Sequence, residues 1–222
     1  PTMTGVYFLF EDNKATFVAT DAHKLVKYSH NITNESVSAS FIMPKKALNL
    51  LKSSLASSPD VRISFNKSNA FFTFGNFQMA CRLIEGRYPD YNMVIPVDNP
   101  NIMTIRRLDF LNSLKRIAIY ANKTTNQVLI KIDGENLNIS SQDLDFSNEA
   151  EETIPCTYDG KQMQIAFNAK FLIEMLSILS SGDITLELSE PNRARILRPA
   201  DQDPSSDLLM LVMPVMINVQ QA

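Results

Sequence analysis

Asp21, Ala22 and His23 put an acid and an imidazole two residues apart, the pairing from which a proton relay could be built. A relay also needs a nucleophile beside its base. His23 and His30 are the only imidazoles, and no Gly-x-Ser-x-Gly, His-Glu-x-x-His or paired-cysteine pattern occurs. A polar turn at a strand end accounts for Asp21–His23 better than catalysis does. Asp143, Asp145, Glu149, Glu151 and Glu152 could gather around a divalent cation, yet they lack the glycine and the spacing of a calcium loop. They read as a solvated acidic loop. The six glycines are too dispersed to cradle phosphate. Cys81 and Cys156 fall in no CxxC pattern and read as reduced core cysteines of a cytosolic protein. Asn31, Asn34, Asn66, Asn122 and Asn138 each begin an Asn-x-Ser/Thr triplet, as chance provides in a chain rich in these residues. No catalytic residue, metal site or cofactor is expected.

The scaffold says more than these residues do. Pro44–Leu55 lines up without a gap on Asn168–Leu179, so that Leu48 falls on Leu172, Leu51 on Met175 and Leu55 on Leu179. Val61–Phe65 then matches Ile184–Leu188, and upstream Gly5–Lys24 echoes Asn126–Asp145. The chain therefore reads as two copies of one α+β unit in tandem, a scaffold whose geometry is its function. Its 222 residues suffice for two ordinary domains, and 45% hydrophobic with 20% charged residues suits packed cores. The net charge of −3 is a global sum, while nucleic-acid binding responds to local charge.

In the first copy, strands are expected at Gly5–Phe10, Ala15–Thr20, Leu25–Ser29 and Ser38–Met43, followed by a helix opened by Pro44. That helix carries Leu48, Leu51 and Leu55 on one face and Lys45, Asn49 and Lys52 on another. A meander follows at Val61–Phe65, Ala70–Phe74 and Gln78–Leu83. Gly86–Asn101 lacks periodicity and reads as the connection between copies. The second copy opens with a strand at Ile102–Ile105 and a helix over Leu108–Ala121, with Leu108, Leu111, Leu114, Ala118 and Ala121 inward. Strands at Val128–Ile132, Leu137–Ser140, Glu151–Tyr158 and Met163–Phe167 lead to the repeat helix Ala169–Ser180. Strands at Ile184–Leu188, Ala194–Leu197 and Leu208–Pro214 close it. One helix in the first copy against two in the second suggests that an opening strand and helix precede Pro1.

Three segments carry a family resemblance. Val18–Leu25, Glu85–Tyr91 and Val212–Ile217 resemble, in order and spacing, the Ala-Thr-Asp-Gly-His-Arg-Leu, Gly-Arg-Phe-Pro-Asp-Tyr and Met-Pro-Met-Arg-Leu segments of the bacterial sliding clamp, the beta subunit of DNA polymerase III. Ala22 stands in place of the usual glycine, Tyr88 of a phenylalanine and Met216 of an arginine; Met93 falls where many members carry arginine. Asn218–Ala222 run past the usual end. The match covers most of the family's second domain and all of its third.

The resemblance implies tandem clamp domains, here 1–95 and 96–222, with antiparallel sheets outside and helices on the inner, DNA-facing side. It implies a non-catalytic processivity factor, cytoplasmic, that closes as a head-to-tail dimer around duplex DNA. Lys45, Lys46, Lys52, Arg116 and Lys170 would meet phosphates without reading bases. Polymerase, clamp loader and repair polymerases would insert short apolar peptides at Met3, Thr20, His23, Leu25, Pro89, Met93, Val94, Asn168, Phe171, Ala194, Leu211, Met213, Pro214 and Val215. Methionines suit a surface that accepts several peptides. Ile119 and Tyr120 would take the neighbouring chain of the ring, so this chain alone is not expected to form the native dimer. The rival reading is a repeated β-rich surface module for glycan or protein ligands; the absence of tryptophan counts against sugar platforms.

Overall fold

The computed structural model describes residues 2–33, 38–55, 61–189 and 193–216. The Asn34 triplet and the stretch from Ile217 to Ala222 lie outside them. Two units emerge, Pro1–Tyr91 with Pro204–Asp207, and Asn92–Asp203 with Leu208–Ala222.

The first unit runs β1 (Gly5–Glu11), β2 (Lys14–Thr20), β3 (Lys24–Asn31), β4 (Ala39–Pro44), α1 (Lys45–Ser54), β5 (Arg62–Phe65), β6 (Asn69–Phe74) and β7 (Phe77–Arg82). Asp12 and Asn13, at φ 49° and 58°, turn β1 into β2 between the paired Glu11 and Lys14. Both residues in the left-handed region give the tight hairpin turn whose twist matches the strands, and Asp and Asn tolerate it. The strands pair antiparallel as β4-β1-β2-β3, and β5-β6-β7 form a second sheet. Alternating side chains send Phe8, Phe41, Met43, Ala70, Phe72 and Phe74 inward, where Ala47 and Leu51 of α1 join them. Phe8 stacks on Phe41 at 5.2 Å and meets Phe17 edge-on at 4.7 Å. Gly5 is needed where β1 passes β4: a Cβ there would sit 2.6 Å from the Met43 carbonyl oxygen.

The second unit runs β8 (Asn101–Arg106), α2 (Arg107–Ile117), β9 (Gln127–Asp133), β10 (Asn136–Asp143), β11 (Asn148–Pro155), β12 (Thr157–Tyr158), β13 (Met163–Asn168), α3 (Ala169–Ile178), β14 (Asp183–Leu188), β15 (Arg195–Pro199) and β16 (Ser206–Val212). One sheet is ordered β13-β9-β10-β11, and β12-β8-β14-β15-β16 pair in another. The four-strand order repeats that of the first unit strand for strand, and α1 and α3 are both ten residues long. The duplication legible in the sequence is therefore a duplication of topology.

Two expectations are corrected. Leu108 is exposed, and the buried stripe of α2 is Phe110, Leu111, Leu114 and Ile117. Leu108 sits two residues, about 200° around the helix, from Phe110 and so faces away from the core. The helix itself stops at Ile117, a 3-10 turn covers Ala118–Tyr120, and Ala118 is only half-buried. The single strand expected at Glu151–Tyr158 is two: β11 ends at Pro155, the Cys156 amide donates to the Glu135 carbonyl, and β12 joins β8 instead. Cys156 is buried as expected, whereas Cys81 is half-buried on β7 with its thiol 3.2 Å from the Met43 sulfur.

The two repeat helices are not equally sheltered. Leu172 and Met175 of α3, a helix that packs on α2, are buried, while Leu48 of α1 is only partly so. Leu172→Ala is therefore expected to cost about 2–5 kcal/mol, and Leu48→Ala clearly less. Denaturant unfolding of the two variants measures the gap; equal costs would contradict this asymmetry.

Candidate functional site

In the first unit, Thr20 ends β2 directly opposite Leu25 of β3. Between them Asp21 organises the turn: its Oδ1 accepts from the His23 and Lys24 amides at 3.0 and 2.9 Å, and its other oxygen meets the Lys24 ammonium at 3.1 Å. Partial burial pushes the Asp21 carboxyl up, but these bonds and the lysine outweigh it and hold the group below its usual range. The carboxylate is thus committed to the backbone, which explains the Asp-x-His spacing without catalysis. Thr20 accepts from the Ala22 amide and donates to the Lys24 carbonyl. His23 is exposed at the tip, and Leu25 is buried. Met3 and Pro89 are exposed elsewhere on this unit. The segment holding Pro89 is anchored: Tyr88 stacks on Tyr7 at 5.0 Å and its hydroxyl donates to the Val18 carbonyl, while Tyr91 sits 6.2 Å from the Tyr7 ring.

In the second unit, Asn168 ends β13 and caps α3, its side chain accepting from the Lys170 amide at 3.0 Å. The chain beyond β16 returns to this place, because the Val215 amide donates to the Ala166 carbonyl at 2.9 Å. That bridge holds Met213, Pro214 and Val215 next to β13, with Phe171 half-buried in the first turn of α3. Leu211 is buried opposite Ile196, and Ala194 is buried just before β15. Met93 and Val94 project from a 3-10 turn, Tyr91–Val94, and are exposed. The set thus divides by burial: Leu25, Ala194 and Leu211 can only support a surface, whereas Met3, Met93, Val94 and Met213 can touch a ligand.

Among the cations, Lys45 and Lys46 occupy the first turn of α1, Lys52 its last turn, and Lys170 the first turn of α3, all exposed. Arg116 differs. Its guanidinium is already engaged by Glu152, with Nε 3.1 Å from Oε2, and Ser113 donates to the same oxygen. Hydrogen bonding from Arg116 comes first among the causes that hold the Glu152 carboxyl below its usual range. Residue spacing gave no sign of this pair, which joins α2 to β11. Two of the other acids are also occupied: Glu151 accepts from Asn138, and Asp143 from the Asp145 amide. Among the described residues, no group of three or more His, Cys, Asp or Glu gathers as a metal site would.

Ile119 and Tyr120 are exposed on the 3-10 turn after α2, which packs against β10 and β11. Leu144 and Phe146, on the β10–β11 turn, are also exposed, and nothing in the sequence had singled them out. Their position on a hairpin tip was the one available signal.

The family model for the central domain of the DNA polymerase III beta subunit matches residues 1–90, and the model for its C-terminal domain matches residues 92–215. The chain belongs to the DNA polymerase III beta subunit family. The beta sliding clamp of Staphylococcus epidermidis is 28% identical over 212 residues, covering 95% of this chain and 56% of its own length. That of Treponema pallidum is 28% identical over 219 residues, covering 96% and 58%. Among solved structures, the Pseudomonas aeruginosa DnaN sliding clamp bound to griselimycin matches with a TM-score of 0.91 at 25% identity, over 96% of this chain and 57% of that one. The Bartonella birtlesii clamp bound to the same compound gives 0.89 at 27% identity, over 97% and 59%. The chain spans little more than half the length of these beta subunits, and its α+β fold is the sliding-clamp fold.

Against that family pattern, Ala22 is instructive. It adopts φ 73°, the left-handed region that favours glycine, the residue usual at this point of the beta-subunit motif. An L-residue pays roughly 1–2 kcal/mol there. Glycine gives back about half of that through the entropy of its unfolded state. Ala22→Gly is expected to stabilise the fold by about 0.5–1 kcal/mol, read as a higher Tm; a lower Tm would contradict the assigned turn.

Proposed function

We propose that this chain serves a non-catalytic processivity factor of DNA replication. In this reading it is part of a ring-forming sliding clamp that encloses duplex DNA and tethers polymerase, clamp loader and repair polymerases. It works in the cytoplasm and needs no cofactor. The observation that carries the reading is that two units of one topology match successive domains of a single subunit. A repeated scaffold whose Asp21 is tied into a turn and whose Glu152 is tied into an ion pair offers geometry rather than a reactive cleft. The family assignment leaves the glycan-binding alternative without support.

Enclosure sets the chemistry of the DNA contact. A ring that must slide needs phosphate contacts that are weak and blind to sequence. Lys45, Lys46 and Lys170 suit this for a physical reason. Each stands in the first turn of a helix, at the positive end of its dipole, where a cation costs about 0.3–1 kcal/mol unless an anion is near. A phosphate relieves that cost, and the helix amides add to the attraction. Lys52 adds a cation in the last turn of α1. In the second unit, Arg116 can meet phosphate only by exchanging Glu152 for it.

Partner peptides engage the exposed and half-buried members of the candidate set. Met93, Val94, Phe171, Met213, Pro214 and Val215 supply the apolar contact in the second unit, with Asn168 polar beside them. Met3, Thr20, His23 and Pro89 are the candidate contacts of the first unit, where Leu25 is buried; Ala194 and Leu211 are the buried candidates of the second. Ring closure uses Ile119 and Tyr120, which Leu144 and Phe146 extend, as the docking surface for a neighbouring chain. Exposed apolar residues of this kind are unfavourable in a lone chain.

The two surfaces should fail independently. Duplex binding is expected in the weak non-specific range, roughly 10⁻⁴ to 10⁻⁶ M or weaker at physiological salt, and stronger at low salt. Replacing Lys45 and Lys46 by glutamate should abolish it and leave peptide affinity intact. Met213→Ala should weaken a short leucine-anchored peptide by about 1–3 kcal/mol and leave duplex binding intact. Salt-series anisotropy on both ligands reads the matrix. Tight, sequence-selective duplex binding, or unchanged peptide affinity with the fold preserved, would overturn the reading.

A further inference from the structure

The chain has ten methionines, and the fold sorts them sharply. Met43, Met103, Met175 and Met210 are at most 2% exposed, and Met79 and Met163 are half-buried. The remaining four, Met3, Met93, Met213 and Met216, are 43%, 82%, 38% and 84% exposed. Three of these four belong to the candidate peptide-binding set, and Met216 follows it directly. None of the sheltered six does.

That partition has a chemical consequence. A thioether makes a soft apolar contact, and an oxidant of the peroxide class removes that property. The sulfur lone pair attacks one peroxide oxygen, the O–O bond breaks, and an S–O bond forms. The thioether is oxidised to the sulfoxide and the peroxide is reduced to water. The product is polar and chiral, and reductases specific for each epimer reverse it. Because the core methionines are covered, the same exposure would modify the surface and spare the packing that holds the fold. Competing thiol chemistry is suppressed, since burial pushes both the Cys81 and Cys156 thiols up, away from the reactive thiolate.

We propose that Met93, Met213 and Met216, all of the second unit, are oxidation sites through which peroxide reversibly releases bound partner peptides. This rests on the peptide-capture reading given above. The modification sites follow from exposure alone; their effect on binding follows from the apolar character of the contact.

The test treats the full chain with dilute hydrogen peroxide, quenches at intervals, and follows sulfoxide at each methionine by peptide-mapping mass spectrometry. Affinity for a labelled leucine-anchored peptide is measured on the same samples, with dithiothreitol present to reverse thiol oxidation while leaving sulfoxides in place. Sulfoxide is expected first at Met93, Met216, Met3 and Met213, with Met43, Met103, Met175 and Met210 unmodified. Affinity should fall by about tenfold or more in step with conversion at Met93 and Met213, and return after methionine sulfoxide reductases of both epimer specificities. A triple variant, Met93→Leu, Met213→Leu and Met216→Leu, should show the same affinity before and after peroxide, whatever its starting value. Core methionines oxidising as fast as exposed ones would overturn the proposal. So would unchanged affinity once Met93 and Met213 are fully converted. If the untreated chain binds no peptide, the capture reading falls and the switch falls with it.

Discussion

Among the described residues, each of the three α-helices begins at the residue where a strand ends. Pro44, Arg106 and Asn168 are each the last residue of a strand and the N-cap of the following helix, with extended backbone at ψ 136°, 119° and 113°. No connecting residue intervenes, so one backbone angle fixes how each helix leaves its sheet. Strand pairing then determines the helix phase: Gly5 opposite Pro44 and Gln127 opposite Asn168 tie both repeat helices to equivalent rows of their sheets. A one-residue slip would turn every side chain of the strand over and rotate the helix with it. The apolar stripes meet the core and the first-turn lysines face water because this junction allows little else.

The same junction explains where function can reside. A strand that runs straight into a helix leaves the helix amides at its start without intrahelical partners. At α3 the Asn168 side chain takes one of them; the N-cap side chains of α1 and α2, Pro44 and Arg106, do not, and at α2 the Arg107 amide donates to the Gly182 carbonyl instead. Cations placed there are poorly suited to helix stability and well suited to meeting phosphate. The return of Val215 to Ala166 brings the C-terminal apolar segment to the head of α3 in the second unit, next to the helix start that Asn168 caps. The groups proposed for DNA and for peptide thus include residues at equivalent helix starts of a duplicated frame, and on the proposed reading mutation should separate them.

Much of this frame is legible in the sequence. The β1–β2 hairpin is written in Glu11–Lys14, and the gapless match of Pro44–Leu55 to Asn168–Leu179 predicts two helices of equal length, as found. Local periodicity carries such information. What it does not carry is tertiary. Leu108 looks apolar enough to be core, but its phase relative to Phe110 decides otherwise. Pro155 ends β11, while the transfer of Thr157–Tyr158 to β8 depends on where β8 lies. Arg116 looks like a free cation until Glu152, 36 residues away, closes on it. The family motifs read equally well at the Asp21 turn, where the side chain caps its own loop and Ala22 adopts the backbone conformation of the glycine it replaces.

The central claim is that peptide capture and DNA contact occupy different parts of this repeated scaffold. Amide hydrogen exchange, followed on one sample with a leucine-anchored peptide and on another with short duplex DNA at low salt, tests it most directly. The account predicts that peptide slows exchange at residues 89–94 and 211–216 and leaves the first turn of α1 unchanged, while duplex slows exchange in the first turn of α1 and leaves residues 89–94 and 211–216 unchanged. Protection of both regions by either ligand, or peptide protection confined to α1, would contradict it.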